Sequence, residues 1–150
     1  MEYNHLLAKL RKDTKELNLK RHKLKEYQLS MLDFIEGKTS SSQYMLEGKI
    51  IQLSRGNDSF GFQHILKSHY QDNSNGKLNA REIINLWLLI DKGTSTTAFE
   101  QNSKGNYAVR YIKNSSDIEI RLMLIYFKDL DIYRVLTYYS DRNEEIGDLS

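Results

Sequence analysis

The sequence predicts an α+β protein, with a long N-terminal helix followed by two helices packed on an antiparallel β-meander of four or five strands. Three observations carry that expectation. An apolar position recurs every seven residues from Tyr3 to Met31, which is helical spacing. Two further helical stretches follow the strand-like GKIIQL. Beyond Gly93, runs rich in Val, Ile, Thr and Tyr are separated only by NSKG, NSS and KDL, short enough for hairpin turns.

Residues 3–36 read as one helix. Tyr3, Leu10, Leu17, Leu24 and Met31 mark its stripe, widened by Leu6, Leu7, Tyr27, Phe34 and Ile35. Thr14, Arg21 and Gln28 interrupt the companion seam, so a free-standing coiled coil is not expected and the stripe should rest on the remainder of the protein or on a partner. Gly37 stops the helix, and KTSSSQ reads as a polar linker. The expected organisation is a basic helical arm over 1–37, a linker over 38–47, a folded unit over 48–142 and an acidic tail over 143–150.

Within the folded unit, GKIIQL (48–53) is a short strand and SRGNDS a loop. Asp58 or Ser59 should cap the helix at 60–70. After the loop QDNSNGK, Asn79 and Glu82 have the spacing of a capping box. The helix they open, over 81–92, is apolar nearly all round, holds Trp87 and ends at Gly93. TSTTAFE, NYAVRYI, DIEIRLMLIYF and DIYRVLTYYS then supply the strands, with Trp87 and its neighbours covering one face.

Composition narrows the classes. The 150 residues suit one compact domain, and 39% hydrophobic content is enough for a core. No apolar run reaches membrane-spanning length, and no signal-peptide pattern opens the chain, so stable membrane insertion is not expected. With no cysteine, disulfides and thiolate metal sites are excluded. The net charge of +2 hides an asymmetry: Lys9, Arg11, Lys12, Lys15, Lys20, Arg21, Lys23 and Lys25 face only Asp13 and Glu16 across their stretch. That segment is either a solvated lysine-rich face or a surface for a polyanion such as RNA or anionic membrane.

The stretch FGFQHILKSHY concentrates the candidate chemistry. Phe62, Ile65, Leu66 and Tyr70 can form a buried stripe, which leaves His64, Lys67 and Ser68 on another face and His69 near its margin. Alternation on the strands sets Arg110 opposite Val109 and Tyr111, and Arg121 on one face with Glu119. On the last strand it sets Arg134, Leu136 and Tyr138 on one side, with Tyr133, Val135, Thr137 and Tyr139 on the other. A sheet face lined by Arg, Thr and Tyr can bind phosphate through guanidinium forks and hydroxyls and can stack a base. It can equally be an ordinary sheet surface with cross-strand Arg–Glu pairs. HExxH, GxxxxGK[ST] and GxGxxG are absent, and His64 and His69 have no Cys or acidic cluster to complete a metal shell. No cofactor is expected.

The order of strand, Gly61-Phe62-Gln63-His64-Ile65-Leu66 helix, apolar Trp helix and meander ending in Thr137-Tyr138-Tyr139 resembles the barnase–EndoU–colicin–RelE superfamily of ribonucleases, in its phage-associated and polymorphic-toxin branches. The resemblance covers about residues 48–142 and leaves the basic arm unmatched. It implies a metal-independent RNA endonuclease, toxin-like, with tRNA among its candidate targets. Such an enzyme uses the ribose 2′-OH to attack the adjacent phosphate and leaves a 2′,3′-cyclic phosphate. His64 would be the general acid/base, since an ordinary imidazole pKa of about 6.5 permits proton removal and donation near neutrality. Arg110 would hold the scissile phosphate, and Thr137 and Tyr139 would position it or a neighbouring base. Lys67, Arg121 and Arg134 would assist substrate binding. EndoU-type members usually carry a second histidine further downstream, and this chain has none after His69. Either His69 takes that part or a one-histidine version works with Lys67 or Arg. The resemblance also implies a cytoplasmic site of action, delivery as a secreted toxin, and an immunity protein or antitoxin as partner. The alternative is a non-catalytic RNA-binding or phage-structural module of the same fold.

Overall fold

The computed structural model describes residues 2–71, 74–97, 104–115 and 117–142. Its first helix, α1 (Tyr3–Glu16), is followed by a turn at Asn18, whose φ of 53° takes the left-handed conformation that asparagine tolerates. A turn of 3-10 helix at Arg21–Lys23 leads into α2 (Glu26–Ile35). The single helix expected over 3–36 is therefore two helices with a break. The seven-residue recurrence runs through the break because α1 and α2 face the same core: Leu6, Leu10, Met31 and Ile35 are all fully enclosed. Arg11 Nε donates to Ile35 O at 2.7 Å, so α1 satisfies an end carbonyl of α2. The expected arm is built into the hydrophobic core.

The region expected as linker contains β1 (Ser41–Leu46), which pairs in a hairpin with β2 (Lys49–Ser54). Glu47 and Gly48 both have positive φ, as a tight two-residue hairpin turn requires. The serines are structural here. Ser42 is buried, and its Oγ accepts the Trp87 indole N–H at 2.8 Å and pairs with Ser30 Oγ at 2.8 Å.

Next come α3 (Gly61–His69), α4 (Ala80–Ile84) and α5 (Leu88–Lys92). The Asn79–Glu82 capping box forms, with both bonds at 2.8 Å. The helix expected over 81–92 is divided into α4 and α5 by a turn at 85–87. Trp87 is fully buried and stacks on Tyr44, ring centroids 5.8 Å apart.

The remaining strands are β3 (Thr94–Thr97), β4 (Tyr107–Ser115), β5 (Ile118–Phe127) and β6 (Ile132–Arg142). Residues 98–100 of the expected TSTTAFE strand, and the acidic tail at 143–150, lie outside the described residues. The chain is α+β, and its described residues form one six-stranded sheet in the order β1-β2-β6-β5-β4-β3. Six strands exceed the expected four or five, and the sheet is not a pure antiparallel meander. The β1–β2 hairpin joins it through a parallel pairing of Ile51 with Tyr133 and Gln52 with Arg134. Past that short pairing, β6 is flanked by α3 and the loop after it: Ser140 N donates to Gly76 O at 3.1 Å, and Leu78 N to His69 O at 2.8 Å.

Strict alternation fails on β6. The β5–β6 register shifts between Met123, opposite Thr137, and Leu124, opposite Val135, so Leu136 is an extra residue in a β-bulge. The bulge keeps Tyr133, Val135 and Tyr138 all buried, and so moves Arg134 to the face that carries Thr137 and Tyr139. The expected grouping of Arg134 with Tyr138 is corrected by that one inserted residue.

Candidate active site

Helix α3 buries Phe62, Ile65 and Leu66, and its spacing turns His64, Lys67, Ser68 and His69 away from that stripe, all four half-buried. The cap expected from Asp58 or Ser59 does not form. Phe60 occupies the N-cap in extended conformation without a side-chain bond. The Asn57 side chain instead accepts from the amides of Ser59 (2.8 Å) and Phe60 (3.3 Å).

Backbone carbonyls orient both imidazoles. His64 Nδ1 lies 2.9 Å from Asp58 O, and His69 Nδ1 lies 2.8 Å from Asn75 O. A carbonyl only accepts, so each Nδ1 carries the proton, and in the neutral ring Nε2 holds the basic lone pair. Ser68 Oγ is 3.3 Å from His64 Nδ1. The two rings stand nearly perpendicular, centroids 5.8 Å apart. His69 in turn stacks on Tyr139 at 5.4 Å. The approach is close because position 76 is glycine: a Cβ there would lie 3.0 Å from His69 Nδ1 and 3.1 Å from Tyr139 Cβ.

Arg121 continues the row, its guanidinium 5.8 Å from the Tyr139 ring centre. It is ion-paired to Glu119 at 2.7 Å and to Asp141 at 3.5 Å. Hydrogen bonding to Tyr139 first, and to Glu119 second, raises its pKa above the ordinary guanidinium value. In the adjacent row, register sets Thr96, Arg110, Met123 and Thr137 side by side across four strands. Thr137 Oγ1, Arg110 Nε and Arg121 Nε are enclosed and have no hydrogen-bond partner. Unsatisfied buried polar atoms cost roughly 1–3 kcal/mol each, so three on one sheet face call for a ligand or water.

Of the predicted residues, His64, His69, Tyr139 and Arg121 form one continuous row. Thr137 and Arg110 share its sheet face, and Met123 separates them. Lys67 is ion-paired at 3.0 Å to the carboxylate of Asp58, the residue whose carbonyl holds His64. Arg134 stands further along β6 against the Phe127 ring, 5.3 Å from its centre. Residues not anticipated are Asp58 and Asn75, whose carbonyls aim the histidines, and Asp141, which brackets Arg121 with Glu119. The Asn75-Gly76 turn signal was the only sequence trace of the second carbonyl. The Asp58 carboxyl is held below the ordinary carboxylate range by its bonds to Gln63 and then Lys67. Among the described residues, no group of three His, Asp or Glu side chains is placed to hold a metal ion.

Comparison with protein-family models, with curated proteins and with solved structures returned no match for this chain.

Proposed function

We propose that this chain is a metal-independent endoribonuclease acting through the ribose 2′-OH. The observation that carries the reading is the His64–His69–Tyr139 row beside an unsatisfied Thr137 hydroxyl. In this reading His64 Nε2 takes the 2′-OH proton, and the 2′-oxygen attacks the adjacent phosphorus. The P–O5′ bond breaks, and a second proton carrier, His69, protonates the departing 5′-oxygen. The products are a 2′,3′-cyclic phosphate and a 5′-OH. Arg110 and Thr137 face the phosphate oxygens, where cations and hydroxyl donors stabilise accumulating charge. Tyr139 backs His69 and presents a ring to a neighbouring base. A toxin role, with an immunity protein or antitoxin over this face, belongs to the same proposal and rests on the sequence resemblance.

A second reading is a non-catalytic RNA-binding or phage-structural module. It is favoured by the Glu119 and Asp141 carboxylates, which neutralise the cation beside Tyr139. Incubating total RNA with the protein in EDTA, then identifying fragment ends, separates the two. Cyclic phosphate ends support the nuclease, whereas intact RNA that remains bound supports the module.

A further inference from the structure

The face that carries the histidine row continues along β6 into a hollow of about 330 Å³. Phe60, Ile125, Phe127 and Leu136 wall it, and Ser59 and Arg134 supply its polar groups. That volume is at the lower end of the roughly 300–1,000 Å³ usual for small-molecule sites. Two features of the chain are spent on it. Phe60 occupies a helix N-cap, where Ser, Thr, Asp or Asn is usual, and makes no cap. The Leu136 bulge brings Arg134 onto this face, where its guanidinium lies against Phe127 and makes no ion pair among the described residues.

We infer that the hollow is a nucleobase subsite and that Arg134 gives it a preference for guanine. A base is flat and aromatic, and phenyl walls stack such rings irrespective of sequence. Selectivity has to come from the polar groups. A guanidinium only donates, and a fork of donors matches the adjacent O6 and N7 acceptors of guanine, while adenine sets an N6 donor beside its N7 and offers no such acceptor pair. The hollow joins the catalytic row directly: Leu136 precedes Thr137 on β6, and Phe60 lies about one helical turn before His64 on α3. A base held there would belong to a nucleotide next to the phosphate facing Thr137. The role of the subsite in cleavage rests on the endoribonuclease reading, but its occupancy by a base can be measured without cleavage.

The experiment is a titration of the full-length protein with 3′-GMP and, separately, 3′-AMP, by calorimetry and amide NMR. 3′-GMP should bind about tenfold more tightly, the discrimination expected from one bidentate pair. The largest shifts should fall at Phe60, Phe127 and Arg134. Arg134→Ala, and also Arg134→Lys, which lacks the planar fork, should bring the two affinities within about twofold. Phe60→Ala should weaken both nucleotides, with circular dichroism confirming the fold. Equal affinities in the wild type would overturn the proposal, as would shifts confined to the lysines of α1 or a hollow that responds only to apolar peptides. Base binding without RNA cleavage would leave the subsite standing and remove the nuclease reading. Cleavage without base preference, with Phe60 and Phe127 unperturbed, would do the reverse.

Discussion

Gly76 holds the loop after α3 against β6, and replacing it with alanine should loosen the histidine site and the fold together. Its φ of +64° is left-handed, which costs an L-residue roughly 1–2 kcal/mol. The added methyl would meet His69 Nδ1 at 3.0 Å, Ser140 O at 3.0 Å and Tyr139 Cβ at 3.1 Å. Two of these contacts are with strand β6, so relief requires the loop to retreat. That retreat weakens the Ser140 N–Gly76 O bond, worth about 1 kcal/mol. Together the terms predict a loss of about 2–3 kcal/mol for Gly76→Ala. Gly76→Asn should cost about 1–2 kcal/mol, because asparagine tolerates the left-handed conformation while keeping the methyl-sized contact. Urea unfolding followed through Trp87, the sole tryptophan, would measure both. An alanine variant within about 0.5 kcal/mol of wild type would refute the close-approach reasoning.

Leu10→Ala should destabilise by about 2–5 kcal/mol, because Leu10 is fully enclosed in the shared core, and chain lacking residues 2–37 should not melt cooperatively. A cooperatively folded fragment would show that the core stands without α1 and α2. Ser42→Ala leaves the Trp87 indole N–H without its acceptor and should cost about 1–3 kcal/mol, read from the same urea curves. The Asp58 carboxyl is depressed in the fold, so what it contributes to the α3 entry is present above the ordinary value of 3.8 and is lost as pH falls through its lower folded value. Between pH 8 and pH 5 that contribution should stay constant. An NMR titration placing the Asp58 midpoint at or above 3.8 would contradict it.

Local chemistry made α3, the Asn79–Glu82 box, the buried Trp87 and the hairpin-linked strands legible in the sequence, because each depends on neighbouring residues. The break at Asn18 was hidden because a seven-residue stripe looks the same whether one helix or two helices face a common core. Strand β1 was hidden because Ser42 reads as linker until Trp87 and Ser30 are there to bond it. At the candidate site, residue types and spacing picked out His64, His69, Arg121 and Tyr139, and the structure sets them in one row. Arg134 could not be assigned a face by alternation, since the Leu136 bulge is defined only by pairing with β5. The carbonyls of Asp58 and Asn75 were equally illegible: every residue has a carbonyl, and only the fold decides which one meets an imidazole.

The most direct test is the rate of RNA cleavage in EDTA by wild-type protein and by His64→Ala at equal, structurally verified concentrations. His64 is half-buried on the helix surface, and among the described residues its ring bonds only Asp58 O and Ser68, so the variant should retain its fold. Loss of a general acid/base predicts a rate about 10²- to 10⁴-fold lower, with the remaining products still ending in 2′,3′-cyclic phosphate. Cleavage at the wild-type rate by His64→Ala, or no cleavage by the wild-type protein, would contradict a histidine-driven ribonuclease.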